Sequence, residues 1–179
     1  TYRLCNTGPE TWPWLWCAHP LLAIEDGVLI ELQTGQELRL LQSDATTSPV
    51  RHAWPELMTD AAEPTRLDSI FADPTDPATF CQKLFVRSHG LARLCTADRR
   101  EQLEFSYDAE TLPWLGLWIN KRGWSGAGAE LYMNLGIEPT TSPCDFLAEA
   151  IKAGEARYLE PGQSTSWPLT LTLSSGEHP

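Results

Sequence analysis

The sequence lacks any apolar run that approaches the ~18 residues needed to cross a bilayer, which argues against a membrane-spanning helix. It is also poor in basic residues: 13 Lys and Arg stand against 24 Asp and Glu, for a net charge of −11. So anionic a chain gains nothing from counterion release on DNA or RNA, and anionic lipid repels it. Neither nucleic acid nor a membrane is therefore expected as a partner, and solubility alone accounts for the charge. Nucleophile and phosphate motifs are missing too: there is no G-x-S-x-G, no P-loop and no H-E-x-x-H. The five cysteines, Cys5, Cys17, Cys81, Cys95 and Cys144, form no C-x-x-C pair and none stands at ligand spacing from a His. No metal site is expected, and the scattered, odd count reads as free thiols in a reducing cytoplasm. Residues 1–10 show no basic region ahead of an apolar stretch, so no signal peptide is expected there.

What is present fits one globular domain with a real core: 179 residues, 42% hydrophobic and 21% charged. Tryptophan is the unusual component. There are eight, and Trp12, Trp14 and Trp16 alternate within one short stretch. Trp offers a flat apolar face with an N–H at its edge, which suits the C–H face and hydroxyl rim of a sugar. A Trp-rich core is the other reading.

Strand signals dominate, divided by turn residues. Val28–Leu32 follows Asp26-Gly27, and Glu37–Leu41 follows Thr34-Gly35. Residues 43–80, rich in Pro, Asp, Thr and Ala, read as a long excursion, with 67–71 either a helical turn or a short strand. Lys83–Ser88, Leu91–Thr96 and Gln102–Tyr107 read as an antiparallel meander, the last with apolar side chains on every second residue. Trp114–Asn120, Glu130–Glu138 and Ser166–Leu173 complete the strands, with Pro168 marking an edge. One short helix is expected from a cap at Asp145 to a stop at Gly154, with Phe146, Leu147, Ala150 and Ile151 as its apolar stripe. Many strands and one helix predict a mostly β, antiparallel sandwich in a single domain spanning 1–179.

Two stretches could carry proton chemistry. His19 precedes Pro20, which holds it extended, and histidine is the side chain that gives or takes a proton near neutrality. Glu138 precedes Pro139 at the expected end of a strand, where a carboxylate facing a Trp-lined pocket is suited to general-base work. Each alone is equally compatible with an ordinary hydrogen-bonded or solvated side chain. Arg99-Arg100 and Lys121-Arg122 read as solvated turn charges.

Three stretches taken together say more: His19-Pro20-Leu21-Leu22, Leu112-Pro113-Trp114-Leu115-Gly116-Leu117-Trp118-Ile119-Asn120-Lys121-Arg122-Gly123-Trp124, and Leu135-Gly136-Ile137-Glu138-Pro139-Thr140-Thr141-Ser142-Pro143-Cys144-Asp145. This pattern resembles the aldose 1-epimerase family of galactose mutarotase-like proteins over nearly the whole chain. The resemblance implies a two-sheet antiparallel supersandwich, here incomplete, with the sugar on a concave face. It implies interconversion of sugar anomers by ring opening, His19 acting as acid and Glu138 as base, with no cofactor and no metal. Trp118 is then a stacking platform, or alternatively a core residue. Asn120 becomes a hydroxyl partner, with Lys83 and Trp124 as further substrate contacts. His52 and His89 stand in other contexts, and Asp68 is a guess for a substrate-contacting carboxylate. The resemblance also implies a substrate-binding Arg and a second His, in the part of the longer family members that lies N-terminal to the position of Thr1, and no residue here matches them. That departure keeps a second function open, a non-catalytic carbohydrate-binding or regulatory sandwich. It also leads to an expectation of self-association, or of a second chain that completes the sandwich.

Overall fold

The computed structural model describes residues 1–24, 27–41, 52–58, 63–73, 75–126, 128 and 130–176. Along these residues run β1 (Tyr2–Cys5), β2 (Trp12–Trp14), β3 (Leu21–Ala23), β4 (Val28–Glu31) and β5 (Glu37–Leu40). Next come the two-residue strands β6 (His52–Ala53), β7 (Glu56–Leu57) and β8 (Thr65–Arg66). The long strands follow: β9 (Phe80–Arg87), β10 (Leu91–Thr96), β11 (Glu101–Tyr107), β12 (Trp114–Lys121) and β13 (Met133–Thr140). Helix α1 (Leu147–Ala153), β14 (Arg157–Leu159), β15 (Ser164–Trp167) and β16 (Leu169–Ser175) close the chain.

The strands build a sandwich. One sheet has eight strands in the order β3-β13-β12-β9-β5-β6-β7-β8, the other four in the order β16-β11-β10-β4. All named strand pairs are antiparallel. Side chains alternate across a strand, so Leu84 and Val86 of β9, Leu115, Leu117 and Ile119 of β12, and Leu135 and Ile137 of β13 all enter the core. They meet Ile30, Ala92, Leu94 and Phe105 from the smaller sheet. Each of the fully buried aliphatic side chains contributes about 1.5–3 kcal/mol of transfer free energy.

The mostly β sandwich with one short helix is thus as expected, and several local details differ. The 83–107 region is not a meander. β10 and β11 pair as a hairpin, but β9 pairs with β12 and β5 in the other sheet. The chain changes sheets at His89-Gly90, where Gly90 has φ 86° and a Cβ would strike the Tyr107 carbonyl. The last strand is broken at Pro168: β15 pairs with β1, and β16 is the edge strand beside β11. The helix begins without the expected cap. Phe146 is the N-cap residue and offers no side-chain hydrogen bond, while Gly154 ends the helix in the left-handed region. Of the expected apolar stripe only Ala150 is buried.

The expected excursion over 43–80 falls partly on 43–51, 59–62 and 74, outside the described residues, as does Asp26. Its described parts supply the short strands β6 to β8, and 67–71 is a turn whose Phe71 bridges to Val28. All five cysteines are free, with Cys95 buried and Cys5 exposed. Among the described residues no helix is long and apolar enough to cross a membrane, and no group of His, Cys, Asp and Glu could hold a metal ion.

Candidate active site

The outer face of the large sheet is set by the alternation that buries its inner face. With Leu135 and Ile137 turned into the core, Asn134, Gly136, Glu138 and Thr140 of β13 face the other way. The same parity turns Trp114, Gly116, Trp118 and Asn120 of β12, and Lys83 and Phe85 of β9, toward that face. Register aligns them in rows. Glu138 lies opposite Gly116, which lies opposite Phe85; Gly136 lies opposite Trp118, which lies opposite Lys83.

Two glycines make room for Glu138. A Cβ on Gly116 would stand 3.2 Å from the Cβ of Glu138. A Cβ on Gly136 would overlap Glu138 Oε1 and lie 3.1 Å from the Cβ of Trp118. The carboxylate therefore folds back along its own strand over Gly136, into space that any larger residue would fill.

The two oxygens of Glu138 have unlike surroundings. Oε2 accepts a hydrogen bond from Lys83 Nζ in a buried ion pair, and the Cys17 thiol stands 3.6 Å from it. Oε1 is buried and has no hydrogen-bond partner among the described residues. It faces His19 Nε2 at 3.7 Å. Glu138 is wholly buried while the His19 side chain is 62% exposed. Asp145 Oδ1 lies 3.8 Å from Lys83 Nζ, balancing the lysine from the solvent side. The expected helix cap is thus a member of the site.

The chain between Trp16 and His19 is tied to the end of β13. Cys17 bridges to Thr140, Ala18 donates to the Pro139 carbonyl, and Thr141 donates to the Trp16 carbonyl. Thr140 Oγ1 also donates to the Trp16 carbonyl at 3.0 Å. These bonds bring residues 19 and 138 together across more than a hundred positions of sequence. Burial and the neighbouring Glu138 charge push the Cys17 thiol up to about 12, so it stays protonated at neutral pH.

An aromatic group flanks the carboxylate. Trp118 meets Trp124 edge-on at 5.7 Å between centroids, and Trp124 meets Tyr132 at 6.2 Å. Trp118 is half-buried on the outer face, so it belongs to the site side of the sheet and not to the core. Asn120 is fully buried. Its Oδ1 accepts from the backbone N–H groups of Gly123 and Trp124, and its Nδ2 donates to the Trp124 carbonyl. It therefore holds the turn that presents Trp124. The alternating tryptophans near the N-terminus play a different part: Trp14 and Trp16 pack on Trp167 at 5.4 and 5.1 Å, forming a tryptophan core.

All six residues singled out in the sequence lie on this face or at its rim, with His19, Glu138 and Lys83 in one cluster. Glu138 is interior to β13 and not at a strand end, because the strand continues through Pro139 to Thr140. Lys121 is not a solvated turn charge; it is buried and paired with Asp76 at 2.6 Å. Asp68 pairs with Arg66 and lines a different cavity, of about 620 Å³. That cavity, like those of about 440 and 570 Å³, has neither His19 nor Glu138 in its wall. Cleft size therefore does not point to His19 and Glu138. Gly116, Gly136, Cys17 and Asp145 were not singled out as site residues. Only the glycines carried a signal, as Gly within apolar strands marking a close approach.

By fold, the chain is a galactose mutarotase-like antiparallel sandwich. It aligns with a candidate aldose 1-epimerase of Klebsiella pneumoniae at TM-score 0.67 and 16% identity, over 97% of this chain and 41% of that one. A candidate aldose 1-epimerase of Escherichia coli K12 gives TM-score 0.62 and 16% identity, over 97% and 54%. A galactose mutarotase related enzyme of Lactobacillus acidophilus gives TM-score 0.57 and 14% identity, over 98% and 56%. At these identities the likeness is one of fold, and the chain spans about half the length of the structures it matches. No family model and no curated protein sequence matches the chain.

Proposed function

We propose that the chain carries the acid–base pair of a sugar epimerase that interconverts the α and β anomers of an aldose. The observation that carries this reading is the unpartnered oxygen Oε1 of Glu138 facing His19 Nε2 at 3.7 Å. A buried acceptor left unpaired is costly, and a hydroxyl donor seated between the two groups would relieve that cost. Oε1 takes the proton of the C1 hydroxyl while protonated His19 delivers one to the ring oxygen. The C1–O5 bond breaks and the aldehyde forms. Rotation about C1–C2 and the reverse transfers close the other anomer, so protons and electrons balance with no cofactor. Each positioned transfer is typically worth about 10²–10⁴-fold. Trp118 and Trp124 supply apolar faces for the sugar ring. Lys83 fixes Oε2 and so aims Oε1, a role that acts through Glu138 and does not require it to touch the substrate.

Polarimetric mutarotation with His19→Asn and Glu138→Gln tests this reading. Both variants should lose anomer exchange while sugar-dependent Trp fluorescence survives; full exchange rates in both would refute the mechanism. One feature favours a second function, a non-catalytic sugar-binding sandwich: Glu138 is completely buried and one of its oxygens is held in an ion pair with Lys83. Fluorescence quenching by sugar with no accelerated mutarotation would select it.

A further inference from the structure

Asn134 is a second orphan on the same face of the same strand. Its Oδ1 is buried and has no hydrogen-bond partner among the described residues, and the residue as a whole is 7% exposed. Native proteins seldom leave such an acceptor unpaired unless function uses it. The other orphaned carboxylate or amide oxygen among the described residues is Glu138 Oε1, four positions along β13. Gly136, between them, has no side chain to separate them, and the Glu138 carboxylate folds back over it. The backbone from 134 to 136 rises only about 6.6 Å, so Asn134 stands one same-face position from the glycine that the carboxylate covers, and that glycine lies opposite Trp118. Asn120, the cross-strand neighbour of Asn134, spends its amide on the 123–124 backbone. Asn134 is thus the carboxamide of this face whose oxygen has no protein partner among the described residues.

We infer that Asn134 Oδ1 accepts a hydrogen bond from a ring hydroxyl close to the anomeric carbon, while Glu138 Oε1 accepts from the hydroxyl on C1. Asn134 is then a specificity-determining contact, selecting sugars that carry a hydroxyl at C2 or C3 over their deoxy forms. The inference rests on the sugar-epimerase reading and adds to it a residue that reads the substrate.

The test is a Trp fluorescence titration of the full chain with D-glucose, D-galactose and their 2-deoxy and 3-deoxy forms. Wild type should bind a parent sugar about five- to tenfold tighter than one of its deoxy forms, as expected for a single neutral hydrogen bond. Asn134→Ala and the near-isosteric Asn134→Leu should bind both alike, at the wild-type affinity for that deoxy form. Without sugar, Asn134→Leu should melt no lower than wild type, because it deletes an unpaired polar atom. Retained discrimination in both variants would overturn the assignment. So would equal weakening for every sugar combined with lowered melting temperatures in both, which marks a structural role. A wild-type chain that binds none of these sugars would refute the sugar reading itself, a result separable from failure of Asn134 alone.

Discussion

Replacing Gly136 by Ala should disable the site with only a moderate effect on the fold. Gly136 shows no positive φ, so the backbone accepts alanine. The added methyl has nowhere to go: it would overlap Glu138 Oε1, stand 3.3 Å from Glu138 Cδ and 3.1 Å from the Cβ of Trp118. Carbon atoms prefer about 3.5–4.0 Å, and both strands are fixed by their ladders, so the carboxylate must yield by about 1 Å. Overpacking of this kind costs about 1–3 kcal/mol. A 1 Å displacement of a reacting group costs on the order of 10²-fold in rate. The expected result is therefore an unfolding free energy from urea titration lowered by about 1–3 kcal/mol and anomer exchange reduced about a hundredfold. Gly116→Ala, whose Cβ would meet the same glutamate at 3.2 Å or more, should show a smaller loss in both. Anomer exchange is read by polarimetry on the same samples used for urea titration. Wild-type exchange in a folded Gly136→Ala chain would refute the claim that the glycine slot positions the carboxylate.

Other substitutions probe the supporting residues. Lys83→Met leaves Glu138 buried without its cation and should cost about 3–5 kcal/mol in denaturant titration; Lys83→Met combined with Glu138→Gln should recover much of that loss. Asn120→Ala removes three hydrogen bonds to the 123–124 turn and should weaken sugar-dependent fluorescence by freeing Trp124, with a stability loss of about 1–3 kcal/mol. The Cys17 thiol, pushed up to about 12 by burial and the Glu138 charge, should resist iodoacetamide at pH 8. Glu138→Gln removes the repelling charge, lowers that thiol and should speed its alkylation; an unchanged rate would contradict the contact.

Periodicity made most of the architecture legible in the sequence. Alternation in Leu103–Tyr107 and Trp114–Asn120 placed strands within a residue or two of β11 and β12, because one face of each must be buried. Sheet membership was not legible. Residues 83–96 look like a hairpin locally, and only tertiary packing sends β9 and β10 to different sheets. Two-residue strands such as β6 to β8 are too short to carry a period. In the site, His19 and Glu138 stood out through the prolines beside them and through resemblance. Lys83 was read as a sugar contact because nothing in sequence reveals that cross-strand register seats it on Glu138. Asn134 was not legible as a candidate, since the lack of a partner for its oxygen among the described residues shows only in the fold.

One pyranose should bridge the His19 imidazole and Glu138 Oε1. The most direct measurement is a crystal structure of this chain soaked with an aldose. The account expects the C1 hydroxyl within hydrogen-bond distance of Glu138 Oε1 and the ring oxygen within reach of His19 Nε2. A sugar seated elsewhere, for instance in the cavity walled by Arg39, Arg87 and Trp114, would contradict it.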